Sequence, residues 1–378
     1  MTLVAHPSEA LSLSTSTAST TRTACTASAA VATEPQRLQR AKKAYTTRFL
    51  AERLALDSTG YELLDAAPAA GDVVLAKVVE VGHHTKLESP ASRRQSMFPG
   101  DEILVAFGNR YAPDQFLAVV PEDLGECSLV AGGGLAARVL EQHADIDKAT
   151  TIQPIGLLAK DGVVVNLQDQ APHAVNHATE LPGRPPVIAV LGTSMNSGKS
   201  TTLGCLVNGL DAAGLRVSAG KATGTGSGND PRLFTDAGAR RVLDFTDFGF
   251  PTTYLLDYET VRGLLTSLID TLTTAETDVI VVEIADGVYQ GETSRLLHDP
   301  VFHAAVDHVV FAAADALGAT AGIGVLQEAG VSVPAVSGLL TASPLAAREA
   351  ADVITTRVIS TYDLCNPATA LELLPMRK

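Results

Sequence analysis

Eleven consecutive residues constrain this chain more than any others: Gly192–Thr193–Ser194–Met195–Asn196–Ser197–Gly198–Lys199–Ser200–Thr201–Thr202. They follow an apolar run, Val187–Leu191, and precede apolar residues at helical spacing, Leu203, Leu206, Val207 and Leu210. A buried strand turning through a Gly/Ser-rich loop into a helix is the setting of a phosphate-binding loop, because main-chain N–H groups and the helix N-terminus converge on one anion. In this pattern Lys199 reaches toward the β/γ oxygens of a nucleoside triphosphate, and the Ser200 hydroxyl is a Mg²⁺ ligand. The candidate nucleotide contacts are Gly192, Thr193, Asn196, Ser197, Gly198, Lys199, Ser200 and Thr201. Five residues separate Gly192 from Gly198, one more than the usual motif has, so Thr193 stands where the first glycine normally stands.

The surrounding pattern is α/β. From Val187 onward, apolar runs such as Val279–Val282 and Val309–Phe311 alternate with helical stripes, among them Val261, Leu264, Leu265, Leu268 and Leu272. Such alternation predicts βαβ units and a parallel sheet covered by helices, here a P-loop NTPase domain over residues 187–378. Before it, short Val/Ile/Leu-rich runs broken by turn residues predict a small β-rich domain over 41–167, a barrel or a sandwich. Within that domain, Leu135–His143 after the Gly132–Gly133–Gly134 cluster is expected as a short helix. The Pro-rich stretch 168–186 is expected as a linker, and the Ser/Thr/Ala-rich residues 1–40 as a disordered tail.

Composition narrows the partners. With 28 Lys+Arg against 42 Asp+Glu, the net charge of −14 over 378 residues argues against nucleic acid. The most apolar long stretch, Val306–Leu326, is interrupted by Asp307, His308 and Asp315, so no membrane partner is expected. Four widely spaced cysteines form neither a disulfide framework nor a zinc motif, which suits a reducing cytoplasm.

Downstream of the loop lie further candidates. Gly220–Asp230 carries enough glycine for its backbone to approach a second anion closely. The run Asp278–Glu283 reads as a buried strand ending in a carboxylate, which positions Glu283 for Mg²⁺, with Asp286 as a rival ligand. Polar loops at 244–254 and 287–294 are candidate substrate contacts. His298, His303 and His308 do not share one helical face and are expected as ordinary surface or core histidines. His83–His84, near Lys86, Arg93, Arg94 and Arg110, form a basic patch that either binds an anion or is a solvated face, the solvated face being preferred.

The form Gly-Thr, four residues, Gly-Lys-Ser resembles the phosphate loop of the dethiobiotin synthetase and cobyrinic acid diamide synthase family, over about Pro186 to Pro344. That resemblance implies an enzyme using ATP and Mg²⁺ to phosphorylate a small molecule, as a kinase or through an acyl- or carbamoyl-phosphate for ligation. It further implies Lys221 as a catalytic charge partner, Asp230 as a Mg²⁺ ligand beside Ser200 and Glu283, base contacts around Ser337, and a homodimer. The family's Gly-rich turn after the strand-end Glu is replaced here by Ile284–Ala285–Asp286–Gly287, which leaves Glu283 and Asp286 in competition. The alternative is a nucleotide-dependent switch, as in related metallochaperone and partitioning ATPases that act on a protein partner. Partitioning ATPases carry an extra Lys near the start of the loop, where this chain has Thr193–Ser194.

Overall fold

The computed structural model describes residues 31–375, in which two domains pack against each other. The C-terminal one is built on a seven-stranded parallel sheet. Its strands are β1 (Val187–Gly192), β2 (Val217–Lys221), β3 (Arg241–Asp244), β4 (Val279–Glu283), β5 (His308–Ala312), β6 (Ala335–Ser337) and β7 (Arg357–Val358), in the spatial order 3-2-4-1-5-6-7. Helices α1 (Lys199–Ala212), α2 (Asn229–Asp236) and α3 (Tyr258–Leu272) make the first crossovers.

Strand β1 shows why the sheet needs cover on both sides. Val187, Ala189 and Leu191 enter one apolar core with α3, whereas Ile188 and Val190 enter the other with Leu203, Leu206, Val207 and Leu210 of α1. Alternation along a strand that is apolar at every position places greasy side chains on both faces, so helices must bury both. Because β1 is flanked by β4 and β5, the chain leaves the sheet in opposite directions on its two sides, and the loops at the carboxyl ends open into a crevice.

The N-terminal domain contains a barrel. Thr150–Lys160 pairs with Val73–Glu80, which pairs with Glu102–Phe107, then Leu135–Gln142, then Cys127–Ala131, which returns to Thr150–Lys160. These five strands close the circuit around Val74, Ala76, Val78, Ile103, Val105, Phe107, Leu129 and Ile152. The register shifts along Thr150–Lys160 supply the bending that closure requires. Leu135–Gln142 is therefore a strand and not the helix expected from sequence. Its alternation was masked because Leu135, Ala136 and Ala137 are all buried, on the two sides of a sheet that is covered at that end. The tail expected over 1–40 falls outside the described residues up to position 30. From there Val31–Ala32 pairs with Tyr61–Leu64 and Pro35–Arg40 is helical. Between the domains, the chain at 168–186 lies along α3, where Ser267 bonds the main chain of Asn176 on both sides.

Polar contacts from Arg48, Glu88 and Asn196 and a close glycine approach are among those that lock the domains. Arg48 Nη1 donates to Thr246 Oγ1 at 2.6 Å and Nη2 to Asp247 Oδ1 at 2.8 Å, with Asp244 Oδ1 at 3.9 Å. Glu88 accepts from Ser227 Oγ and from the Gly228 N–H, both at 3.0 Å. Asn196 of the phosphate loop donates to Asp114 Oδ2 at 2.7 Å. Gly133 passes so close to Gly226 that a Cβ there would lie 1.9 Å from the Gly226 carbonyl oxygen.

Arg48 is the cation of this joint. Burial raises the Asp244 carboxyl from its ordinary 3.8 to about 6, against the pull of Arg48. The folded state thus holds a proton that the unfolded chain releases between about pH 4 and 6, so this site loses stability as pH rises through that window. Arg48→Ala is expected to lower unfolding stability by about 3 kcal/mol at neutral pH, the scale of an unpaired buried charge. The loss should be smaller at pH 5, where Asp244 is largely protonated. Urea titrations at the two pH values check this.

Candidate functional site

The carboxyl ends of β1, β2 and β4 face the barrel across a cleft of about 760 Å³. One wall is the phosphate loop and the strand-end charges. Gly198 adopts φ +95° and Asn196 φ +62°, so the loop turns back on itself before α1 begins at Lys199. A Cβ on Gly198 would press on the main chain at Gly338 and Leu339, which leaves glycine as the residue that fits. The first-turn amides of α1 have no carbonyl four residues back, so the helix offers donors and its positive dipole end to the cleft.

Lys199 is 6% exposed and donates from Nζ to Ser194 O at 2.8 Å, spanning the loop. Burial draws its pKa down, and Glu283 and Asp286 resist that. Lys221, at the end of β2, is the second ammonium of the cleft, its side chain 13% exposed. It pairs with Asp230 and, at 3.0 Å, with Glu283 Oε1. Burial alone would discharge it, but the two carboxylates outweigh burial and hold it above the ordinary lysine range.

The other Glu283 oxygen, Oε2, is buried without a hydrogen-bond partner, and Ser200 lines the same cleft beside the Asp230 carboxylate, whose pKa the neighbouring Lys221 and Ser200 lower against burial. These two carboxylates and one hydroxyl fit Mg²⁺, which takes one or two protein carboxylates and completes its octahedron with water and phosphate oxygens. Among the described residues no group of three or more His, Cys, Asp or Glu is gathered into a full metal cage. Asp286 lines the same cleft, and burial raises its pKa against Lys199, Lys221 and Arg110.

The structure brings Asn196, Gly198, Lys199, Ser200, Thr201, Lys221, Asp230, Glu283 and Asp286 to this cleft. Gly192, Thr193, Ser197 and Ser337 stand behind it. Gly192 ends β1 beside Ala312, and a Cβ there would meet Ser197 Oγ at 2.3 Å. The Thr193 N–H donates to Ala312 O at 3.0 Å, and the Thr193 and Ser197 hydroxyls are buried without partners. The extra residue in the motif thus extends β1 pairing by one step before the loop departs. Ser337 is fully buried, its hydroxyl paired with Thr361 Oγ1 at 3.1 Å and its carbonyl with the Ala313 N–H, so its side chain supports the loop from below. Of the polar loops, Thr252, Thr253, Tyr254, Gln290 and Glu292 line a small adjoining pocket that shares Asp286, whereas Asp244 and Asp247 serve the domain joint. His298, His303 and His308 each bond a backbone carbonyl.

The opposite wall comes from the barrel, and it includes His83, His84, Lys86, Arg94, Arg110, Tyr111 and Gln115. Lys86, Arg93 and Arg94 of this basic patch are exposed, in keeping with the solvated face preferred from sequence, whereas Arg110 departs from it. Arg110 is 5% exposed, and burial pushes its pKa down to about 10. His84 bonds Val130 O through Nε2 at 3.0 Å, so that nitrogen carries the hydrogen. Burial and the Arg110 charge lower its pKa to about 4, which keeps the ring neutral near pH 7.

A parallel sheet with a phosphate loop between its first strand and helix makes the C-terminal domain a P-loop NTPase fold. Neither a family model nor a curated protein sequence matches the chain. Among solved structures, the signal recognition particle receptor FtsY from Elizabethkingia anophelis in complex with GDP is 19% identical, with a TM-score of 0.31 over 46% of this chain and 54% of its own. A nucleotide-binding protein from Archaeoglobus fulgidus in complex with ADP is 13% identical, with a TM-score of 0.34 over 53% of this chain and 95% of its own. A duf1611 family protein from Anabaena variabilis is 16% identical, with a TM-score of 0.37 over 56% of this chain and 63% of its own. This chain thus spans about half the length of the FtsY it matches. No helix among the described residues is long and apolar enough to cross a membrane.

Lys221 supplies the positive charge that pairs with Asp230 and the buried Glu283, so its removal should act on stability and metal uptake together. Lys221→Met is expected to cost about 3–5 kcal/mol without metal, the penalty for uncompensated buried charge. Millimolar MgCl₂ should raise its Tm by more than it raises that of the parent protein. Thermal unfolding of both proteins with and without MgCl₂ tests the pairing.

Proposed function

We propose that this protein is an ATP- and Mg²⁺-dependent enzyme that phosphorylates a small molecule, as a kinase or by forming an acyl- or carbamoyl-phosphate for ligation. The observation that carries this is the cleft itself: two ammonium groups, one of them buried, and a phosphate loop on one wall face a second domain's polar wall across a space of small-molecule size. That enclosure favours chemistry on a small acceptor over a switch, whose nucleotide state must be read by a protein partner.

In this reading Lys199 binds the β/γ phosphate oxygens and Lys221 stabilises charge that develops on the transferred phosphoryl group. Catalysis of this reaction consists almost entirely of positioning and charge stabilisation. Asp230, Glu283 and Ser200 would hold Mg²⁺, which when bound neutralises phosphate charge. Asp286, among Lys199, Lys221 and Arg110, faces the space where an acceptor would lie and is placed to orient it or accept its proton. The barrel wall and the joint with Asn196 keep bulk water from one side of the loop, which strengthens every charge interaction inside. The resemblance to dethiobiotin synthetases adds a homodimer to this proposal, and the free cysteines Cys127, Cys205 and Cys365 suit the cytoplasm.

Lys199→Ala should reduce Mg-dependent ADP release by about 100-fold or more, the scale of losing a direct transition-state donor. Its circular dichroism should stay that of the parent, since Nζ bonds a loop carbonyl and no core group. ADP release at the parent rate would overturn the assignment. A panel of carboxylates, amines and alcohols in the same assay separates acceptor-driven turnover from hydrolysis that only a protein partner stimulates.

A further inference from the structure

We infer that the barrel wall of the cleft is an oxyanion subsite, with Arg110 as its central ligand, that recognises a small acceptor bearing a carboxylate or phosphate group; as an acceptor site it rests on the phosphoryl-transfer reading above. An arginine this deeply buried normally has a carboxylate against it, because an uncompensated buried charge is costly. Among the described residues the Arg110 side chain makes a single hydrogen bond, from Nη2 to the neutral Gln115 Oε1 at 2.9 Å, and its buried Nε has no partner.

The acidic groups around it are committed or stand off. Asp114 accepts from Asn196 on Oδ2 while its buried Oδ1 has no partner, and Glu88 is tied to Ser227 and Gly228; Asp114 and Asp286 act on Arg110 through space without a hydrogen bond to it, and Asp286 also faces Lys199 and Lys221. A planar guanidinium with free donors in a cleft matches the two oxygens of a carboxylate or phosphate. The wall adds charge of the same sign at its rim. Lys86 and Arg94 lie on the paired strands Lys86–Glu88 and Arg94–Ser96, exposed, and both line the cleft. His84 beside Arg110 stays neutral and, with Nε2 on Val130 O, is left with Nδ1 as an acceptor. The small-residue run Ala131–Gly132–Gly133 keeps this wall free of bulky side chains.

Three probes test the subsite by calorimetry: glutarate for a carboxylate source, glycerol 3-phosphate for a phosphate source, and putrescine as a cationic control of similar length. Each is titrated into the full chain alone and into the chain saturated with ADP and Mg²⁺. One of the two anions should bind in both states, and putrescine should not. Arg110→Gln should weaken that anion by 10-fold or more while ADP affinity moves less than about threefold. Tighter binding of putrescine, or an anion affinity that Arg110→Gln leaves unchanged, overturns the subsite. Loss of ADP binding in Arg110→Gln with the anion retained would also overturn it, by assigning Arg110 to the nucleotide.

Should Arg110→Gln fail to fold, the doubly substituted rim variant Lys86→Gln/Arg94→Gln takes its place, with an expected loss of several-fold for the anion and an unchanged affinity again overturning the subsite. In the parent protein, anion binding should also raise the pKa of His84 from about 4, read from its ring proton shifts. If the anion binds through Arg110 but ADP does not bind at all, the subsite stands and the phosphoryl-transfer reading falls. ADP uptake with no anion bound gives the reverse.

Discussion

The carboxyl end of a parallel sheet is an expensive place to keep charge, and this fold keeps several there. Asp230 and Glu283 both pair with Lys221: burial works against the ammonium, and the two carboxylates outweigh it. Their positions follow from the sheet. Lys221 ends β2, Glu283 ends β4, and the two strands pair with these residues directly opposite each other. Register alone therefore brings the ion pair together, and the phosphate loop leaving β1 on the other side of β4 shares the same edge.

The second domain changes what that edge can do. A phosphate loop open to water presents its lysine to a high dielectric, where charge is screened; the barrel covers one side and brings Arg110 within reach of the same space. The seam that achieves this depends on small and polar groups. Gly133 against Gly226 allows two backbones to touch, Glu88 satisfies donors of the Gly-rich loop before α2, and Arg48 neutralises Asp244 and Asp247. The run from Gly220 to Asp230 accordingly serves two surfaces, with Lys221 and Asp230 in the ion cluster and Gly226 to Gly228 in the domain seam.

What could be read from the sequence divides along the distance over which each signal acts. The strand, loop and helix around Lys199 are continuous in the chain, and period and glycine placement report them directly. The strand at Asp278–Glu283 was equally legible because burial on both faces requires an apolar run. Lys221 and Asp230 came from resemblance, since their pairing crosses a turn whose geometry has no local code. The barrel wall was legible as a basic patch but not as part of the cleft. His84 and Arg110 lie roughly a hundred residues from the phosphate loop, and no periodicity states which face of one domain will meet another. Leu135–Gln142 misled for a related reason: its pattern of burial is set by the strands that close the barrel on either side of it.

Asn196 joins these levels. Its backbone is left-handed where the loop curls, and its side chain reaches Asp114 on the turn between Arg110–Tyr111 and Phe116–Val119, a hairpin of the N-terminal domain. The same turn is bridged by the Arg110–Gln115 hydrogen bond. The conformation of the phosphate loop and the position of the buried arginine are thus connected through two hydrogen bonds and one tight turn. The two walls of the cleft therefore meet directly at this point, the phosphate loop through Asn196 and the barrel domain through Asp114.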